Sequence, residues 1–344
     1  MKALLMEKYK ELNYTDVPDP VIASPDEILV KVKAVSICGS DVHGFDGSTG
    51  RRKPPIIMGH EAAGEIITTG SGVTRFKTGD RITFDSTIYC GSCFFCRNGQ
   101  VNLCENRMVL GVSCDEYRRH GAFAEYVVVP EQICFPLPPE LSYEEAAMLE
   151  PAGVAAHAFR ITPIGLNENV AVVGAGLIGL LLLSILKASV SGRVLALDID
   201  KFRREAASKT GVDFVLDPNS PDVNKKILEL SEGRGMDRVF EAVGATIPIG
   251  TAISIVRKGG SVTLIGNLSP RIELPLQSVV SRQISLLGSC AIAGEYPIVL
   301  DLMARKKIDA ESLISKKAPL SEGQKWFDKL YNREDNLLKV VLIP

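Results

Sequence analysis

Cys90, Cys93, Cys96 and Cys104 stand as C-x2-C-x2-C-x7-C within "YCGSCFFCRNGQVNLC". Four soft thiolates at this spacing can close a tetrahedron about zinc. Such a site keeps no position for water or substrate, so it reads as a structural staple. Disulfides between residues three apart would be strained. A second set of donors lies before and after the staple: Cys38 in "ICGSDVHG", His60 and Glu61 in "MGHEAAGE", and Glu150 in "MLEPAG". One thiolate, one imidazole and a carboxylate with water make a Lewis-acid zinc site with an open position. Taken singly, each of these residues would be structural; their joint occurrence carries the reading. The remaining thiols, Cys114, Cys134 and Cys290, read as core or semi-buried residues.

Gly174, Gly176 and Gly179 form G-x-G-x-x-G between the apolar stretch "NVAVV" and the helical stretch "LIGLLLLSILKA". In that setting the first glycine permits a tight turn. The second lets backbone N–H groups approach a pyrophosphate, and the third allows close helix packing. The next strand, "RVLALDID", ends on Asp198, placed to accept hydrogen bonds from a ribose and to repel a 2′-phosphate, which favours NAD over NADP. Asp200 reads as a solvated turn residue. Leu177 and Ile178 at the helix start, Arg203, and Ile265 and Gly266 closing "GSVTLIG" complete the expected cofactor contacts.

Elements must position these groups. The chain has 344 residues, enough for two cores. Residues 1 to 147 read as short β-branched segments such as "EILVKVKAV", "AAGEII" and "FAEYVVV", an all-β pattern. From about 143 an Ala-rich helical run gives way to apolar strands alternating with helices, which implies a parallel sheet covered on both faces. We expect a β unit of 1–147 completed by 291–344 and an α/β unit of 148–290; "LLKVVLIP" ends as a strand that could pair back with the β unit. With 39 basic against 41 acidic residues, no field draws in a polyanion. The amino-terminal apolar run is too short for a signal peptide, and "VAVVGAGLIGLLLLSILKASV" is interrupted by glycines and Lys187, so neither secretion nor a membrane span is expected. Clustered cysteines then suit a reducing cytoplasm.

"GHEAAGE", the spaced cysteines and "GAGLIG", in this order along essentially the whole chain, resemble the zinc-containing medium-chain dehydrogenase/reductase superfamily. The resemblance implies a Rossmann doubly wound parallel sheet inserted in a GroES-like, partly open β-barrel catalytic domain. "EP" at Glu150 is similar to the polyol branch, including sorbitol and galactitol-1-phosphate dehydrogenases. It implies two zinc ions, one held by Cys38, His60 and a glutamate, with Glu61 and Glu150 sharing that role. Asp41 would hold the His60 ring and raise its basicity. Ser40 would take the substrate hydroxyl proton and pass it through the cofactor ribose to His43, at the end of a relay. The family also implies a homodimer or homotetramer. His120 has no expected role, and His157 reads as a packed helix residue.

The activity expected is hydride transfer between an alcohol and NAD. Sorbitol dehydrogenases carry an Arg-Tyr pair where this chain has Ala291 and Ile292, so another polyol or secondary alcohol is expected. Arg51, Arg52 and Lys53 in "STGRRKPP" read as a solvated loop, the sharper alternative being contact with a sugar phosphate. Quinone-reductase-like relatives lack the ligands quoted. A zinc-stapled, non-catalytic nucleotide sensor has no need of Cys38, His60 and Glu150 together. A zinc-ribbon nucleic-acid binder fails on charge, since residues 89–104 hold one arginine and no lysine.

Overall fold

The computed structural model describes residues 1–112 and 119–344. Cys114 lies outside them. The described chain divides into two compact units, Met1–Gly153 with Ile292–Pro344, and Val154–Ala291.

In the first unit the strand Glu27–Ser36 is the hub. It pairs antiparallel with Glu61–Thr69, Tyr126–Pro130 and Val340–Ile343. Val341 pairs with Ser36 on one side and Glu61 with Ser36 on the other, so the final strand joins the amino-terminal sheet as its sequence allows. Alternating side chains Ile28, Val30 and Val32 enter one core with Phe45, Phe84, Phe123 and Phe327. The helix Gly39–Gly44 follows the hub strand at once, with Cys38 as its N-cap. Ser142 and Glu145 form a reciprocal capping box that starts Tyr143–Ala146. The helix Leu149–Ile161 then carries Pro151 in its first turn, where a missing N–H costs nothing.

In the second unit six strands run parallel in the order Phe214–Leu216, Val194–Leu197, Val170–Val173, Met236–Glu241, Val256–Leu264, Ser285–Gly288. Numbered along the chain this is the Rossmann order 3-2-1-4-5-6. Val170–Val173 is buried at every position, as a strand covered on both faces must be. The long apolar stretch 170–190 is a strand followed by the helix Leu177–Ser189, and no described helix is long and apolar enough to cross a membrane.

Candidate functional site

The cysteine loop is assembled from adjacent residues. Cys93 caps the short helix Phe94–Arg97, and the sulfurs of Cys90, Cys93, Cys96 and Cys104 all lie within 4.8 Å of one another. Backbone N–H groups already point at them: Cys93 N donates to Cys90 Sγ at 3.4 Å, and Cys90 N and Asn106 N to Cys104 Sγ at 3.3 Å. Hydrogen bonds from the Ser92 and Cys93 backbone N–H groups, with the Ser92 hydroxyl, pull the Cys90 thiol down to about 5. Burial and the neighbouring thiols push Cys96 up to about 12. Four like charges cannot ionise together without a cation between them, so the donor set fits zinc.

The second cluster is assembled across the fold. Cys38 Sγ, a His60 ring nitrogen and a Glu61 carboxylate oxygen lie within 4.8 Å of one another. Hub-strand pairing brings this about, because Ser36 lies opposite Glu61 and the residues just beyond them are Cys38 and His60. Cys38 Sγ accepts from Ser40 N at 3.4 Å and Ser40 Oγ at 3.3 Å. Cys38 is half-buried and Ser40 exposed, while His60, Glu61 and Asp41 are buried. The cluster therefore has a closed back and an accessible front.

The back is charged. Glu61 Oε2 takes hydrogen bonds from Ser36 Oγ and from Lys339 Nζ, a lysine only 2% exposed whose ammonium also donates to Ile37 O at 3.0 Å. Burial alone would lower the Lys339 pKa; Glu61 and Cys38 outweigh it and raise it. Glu61 Oε1 is buried with no partner. His60 Nδ1 sits 3.4 Å from Asp41 Oδ2, and neither atom has another partner. Burial disfavours the His60 cation, but Asp41 and Cys38 prevail and raise its pKa. An orphaned carboxylate oxygen beside a thiol and an imidazole held from behind by a carboxylate is the arrangement that suits zinc with a position open.

Glu150 lies in the first turn of the helix Leu149–Ile161 and is half-buried, but it is not among the three clustered donors. Burial raises its pKa, with Glu61 and Asp85 adding to the effect and His60 and Lys339 opposing it. His43 is exposed on the helix Gly39–Gly44. Arg52 departs from the solvated-loop expectation: its guanidinium is buried against Asp41. Arg51 beside it is exposed. Cys134 is buried and donates to Pro130 O at 3.4 Å, whereas Cys290 is exposed, not semi-buried. His120 Nδ1 accepts from Ile57 N at 3.2 Å, and His157 is buried, 3.5 Å from Arg160.

In the parallel sheet the expected cofactor residues cluster at the carboxyl ends of adjacent strands, at the switch point between Val170–Val173 and Met236–Glu241. Gly174 has φ +97°, and a Cβ on Gly179 would come within 1.9 Å of Gly174 O, so neither tolerates a side chain. Gly176, by contrast, has nothing within 4 Å of its would-be Cβ: packing leaves that space clear at a helix N-terminus. Leu177 and Ile178 open the helix half-exposed. Asp198 is buried, one oxygen accepting from Ala175 N at 2.7 Å and the other from Asp200 N at 2.8 Å. Asp200 is exposed, as a solvated residue should be, and serves as the N-cap of Lys201–Ser208, accepting from Arg203 N. The Arg203 side chain is exposed. Ile265 N and Gly266 N donate to Glu241 O at 2.8 and 3.1 Å.

Sequence reasoning missed Lys339, Ser36, Arg52 as an ion-pair partner, and Glu241, which is fully buried and accepts from Val243 N and Gly244 N at 2.9 Å. Only pairing between distant strands singles out the first two. A hub strand carrying a thiol–imidazole–carboxylate cluster, a four-thiolate loop and a 3-2-1-4-5-6 sheet with a cleared glycine turn define a zinc-binding, dinucleotide-dependent dehydrogenase. Residues 24–139 match the alcohol dehydrogenase GroES-like domain and residues 178–305 the zinc-binding dehydrogenase domain, and the chain belongs to this family. It is 34% identical over 340 residues to D-arabitol-phosphate dehydrogenase of Enterococcus avium, covering 97% of this chain and 94% of that one. It is 33% identical to sorbitol dehydrogenase of Bacillus subtilis over 100% and 97% of the two chains. The structure of galactitol-1-phosphate dehydrogenase from Escherichia coli superposes with a TM-score of 0.91 over 100% of both chains at 26% identity.

Proposed function

We propose that this chain is a zinc-dependent oxidoreductase that moves hydride between a polyol or secondary alcohol, sugar-alcohol phosphates included, and NAD. The observation that carries the reading is the cluster of Cys38, His60 and Glu61, closed behind by buried charge and accessible in front. The relatives acting on sorbitol, arabitol phosphate and galactitol 1-phosphate support the substrate class.

Zinc held there would supply Lewis acidity towards an alcohol oxygen. Cys38 and His60 are its ligands, with Glu61 or Glu150 supplying a carboxylate. Asp41 keeps a proton on His60 Nδ1 and so leaves Nε2 for the metal. Ser40, exposed beside Cys38, takes the substrate's hydroxyl proton, and His43, exposed on the same short helix, hands it to solvent. A second ion in the cysteine loop is structural, making two per subunit. Asp198 supports NAD over NADP by charge, with Gly174, Gly176, Leu177, Ile178, Gly179, Ile265 and Gly266 shaping the pocket and Arg203 at its margin. Arg52 is engaged by Asp41, so a phosphorylated substrate would have to find Arg51 instead. We place the protein in the cytoplasm, whose reducing conditions keep metal-binding thiols free, and as a homodimer or homotetramer on family resemblance.

The test is a screen of polyols, polyol phosphates, short secondary alcohols and 3-hydroxy amino acids with NAD and NADP, followed by absorbance of the reduced cofactor. A polyol or its phosphate reducing NAD is expected. If none does while NAD still raises the melting temperature, the protein is a nucleotide-binding sensor.

A further inference from the structure

Arg52 is only 3% exposed, in a stretch of sequence that otherwise reads as a surface loop. Its Nε and Nη2 both reach one oxygen of Asp41, Oδ1, at 3.2 and 2.9 Å. That leaves Asp41 Oδ2 for His60 Nδ1. The same Nη2 lies 3.2 Å from Ser40 Oγ. The fold makes room for this side chain: a Cβ on Gly44 would come within 2.4 Å of Arg52 Cγ. One cation thus touches both the carboxylate behind a metal ligand and the hydroxyl in front of it.

We propose that Arg52 is a positioning residue that sets the orientation of the His60 ring through Asp41 and the direction of proton travel through Ser40. This rests on the dehydrogenase reading above. A guanidinium only donates, so Ser40 Oγ accepts from Arg52 and one of its two lone pairs is occupied. The other lone pair receives the proton of the substrate hydroxyl as that O–H bond breaks. The hydrogen Ser40 carried at the start then leaves to a hydroxyl or water acceptor, and Ser40 ends neutral. In the resting site that hydrogen rests against Cys38 Sγ, 3.3 Å away. Without Arg52, the hydroxyl could turn its hydrogen towards the substrate and block the transfer. Without Arg52, Asp41 is also free to swing both oxygens away from His60. Lysine cannot reproduce this grip, since a single ammonium lacks the second nitrogen, Nε, that with Nη2 closes on Asp41 Oδ1 and fixes the guanidinium plane while Nη2 reaches Ser40.

The experiment compares Arg52→Met, Arg52→Lys, Ser40→Ala and the Arg52→Met/Ser40→Ala double variant in the full chain. Cobalt(II) is titrated against a chelator into protein that keeps zinc in the cysteine loop, so that its d–d and thiolate charge-transfer bands report the Cys38–His60 site, and kcat is followed separately from KM. Both Arg52 variants should lose metal affinity about 10- to 100-fold, the range seen when partners of metal ligands are removed, with shifted cobalt bands. They should lose kcat with little change in KM, and most of that loss should vanish in the Ser40→Ala background. Unchanged cobalt affinity and bands together with additive kinetics would overturn the proposal and leave Arg52 a loop anchor. Should Arg52→Met not fold, Gly44→Ala, which crowds the guanidinium stem and retains the charge, must show the same cobalt shift or the proposal fails. If the wild type turned over no alcohol, the dehydrogenase reading would fall, and the cobalt titration would still decide whether Arg52 governs His60.

Discussion

The two clusters of metal-type donors in the β unit are built in opposite ways. The cysteine loop draws its four donors from fifteen consecutive residues, Cys90 to Cys104, held by a short helix and by N–H groups of the loop itself. The cluster at Cys38 draws its donors from the ends of strands, and its buried counter-charge, Lys339, lies 278 residues from Glu61. The first has four thiolates and no room for a reactant. The second has three donors, an exposed serine and a buried back. Closure suits folding and openness suits chemistry, because a saturated ion stabilises the chain but cannot accept a substrate oxygen.

The largest effect should separate these roles. Cys93→Ser should remove the loop ion and with it folding energy on the order of 10 kcal/mol, seen as a collapse of the melting transition and aggregation at growth temperature. Cys38→Ser should cut turnover by about a thousandfold or more and leave one zinc per subunit, with a melting temperature within a few degrees of wild type. Metal analysis with calorimetry checks both, and similar losses of stability in the two would dissolve the distinction.

Next in size is Lys339→Met, which strands the Glu61 carboxylate in the interior and should cost about 3–5 kcal/mol. A Lys339→Met/Glu61→Gln double variant should regain most of that loss in urea melts. If the single variant is as stable as the parent, the closed back is not held by this pair.

A smaller, pH-dependent effect belongs to Asp85, whose carboxyl burial pushes up to about 7 against the pull of Thr87 N–H. A folded value raised above the unfolded one near 4 means full stability below about pH 4, and loss as pH rises through 7. Between pH 5 and 8 the wild type should lose on the order of 1–3 kcal/mol from this group. Asp85→Asn keeps an oxygen for Thr87 N–H and should remove this group's share of the slope, so melting curves at the two pH values should draw closer together. A variant with an undiminished slope would assign the dependence elsewhere.

The smallest effect should be His43→Ala: kcat lower by about 2- to 10-fold near neutrality, restored by added imidazole, with metal content unchanged. Loss of zinc in this variant would place His43 among the groups that hold the site rather than at the exit of its relay.

Legibility in the sequence tracks the distance over which an interaction is made. The thiol spacing, the glycine turn, Asp198 and the alternation of strands and helices are short-range patterns, and each could be read from consecutive residues. Cys38, His60 and Glu61 were recognisable as types, and hub-strand pairing explains why they meet. Arg52, eleven residues from Asp41, looked like a surface charge because nothing local shows that Gly44 clears a niche for it. Asp200 looked like a turn residue, and the helix it caps gives it a partner.

Local chemistry in the chain determined that a closed thiolate site, a dinucleotide turn and a set of zinc-type donors exist, since spacing along a backbone of fixed geometry limits what neighbouring residues can reach. Tertiary structure alone decided which donors come together, that Glu61 is held by Ser36 and Lys339, and that Arg52 faces inward. Those outcomes depend on strand register and burial, where desolvation makes an unpaired charge so unfavourable that distant residues must be brought in to match it.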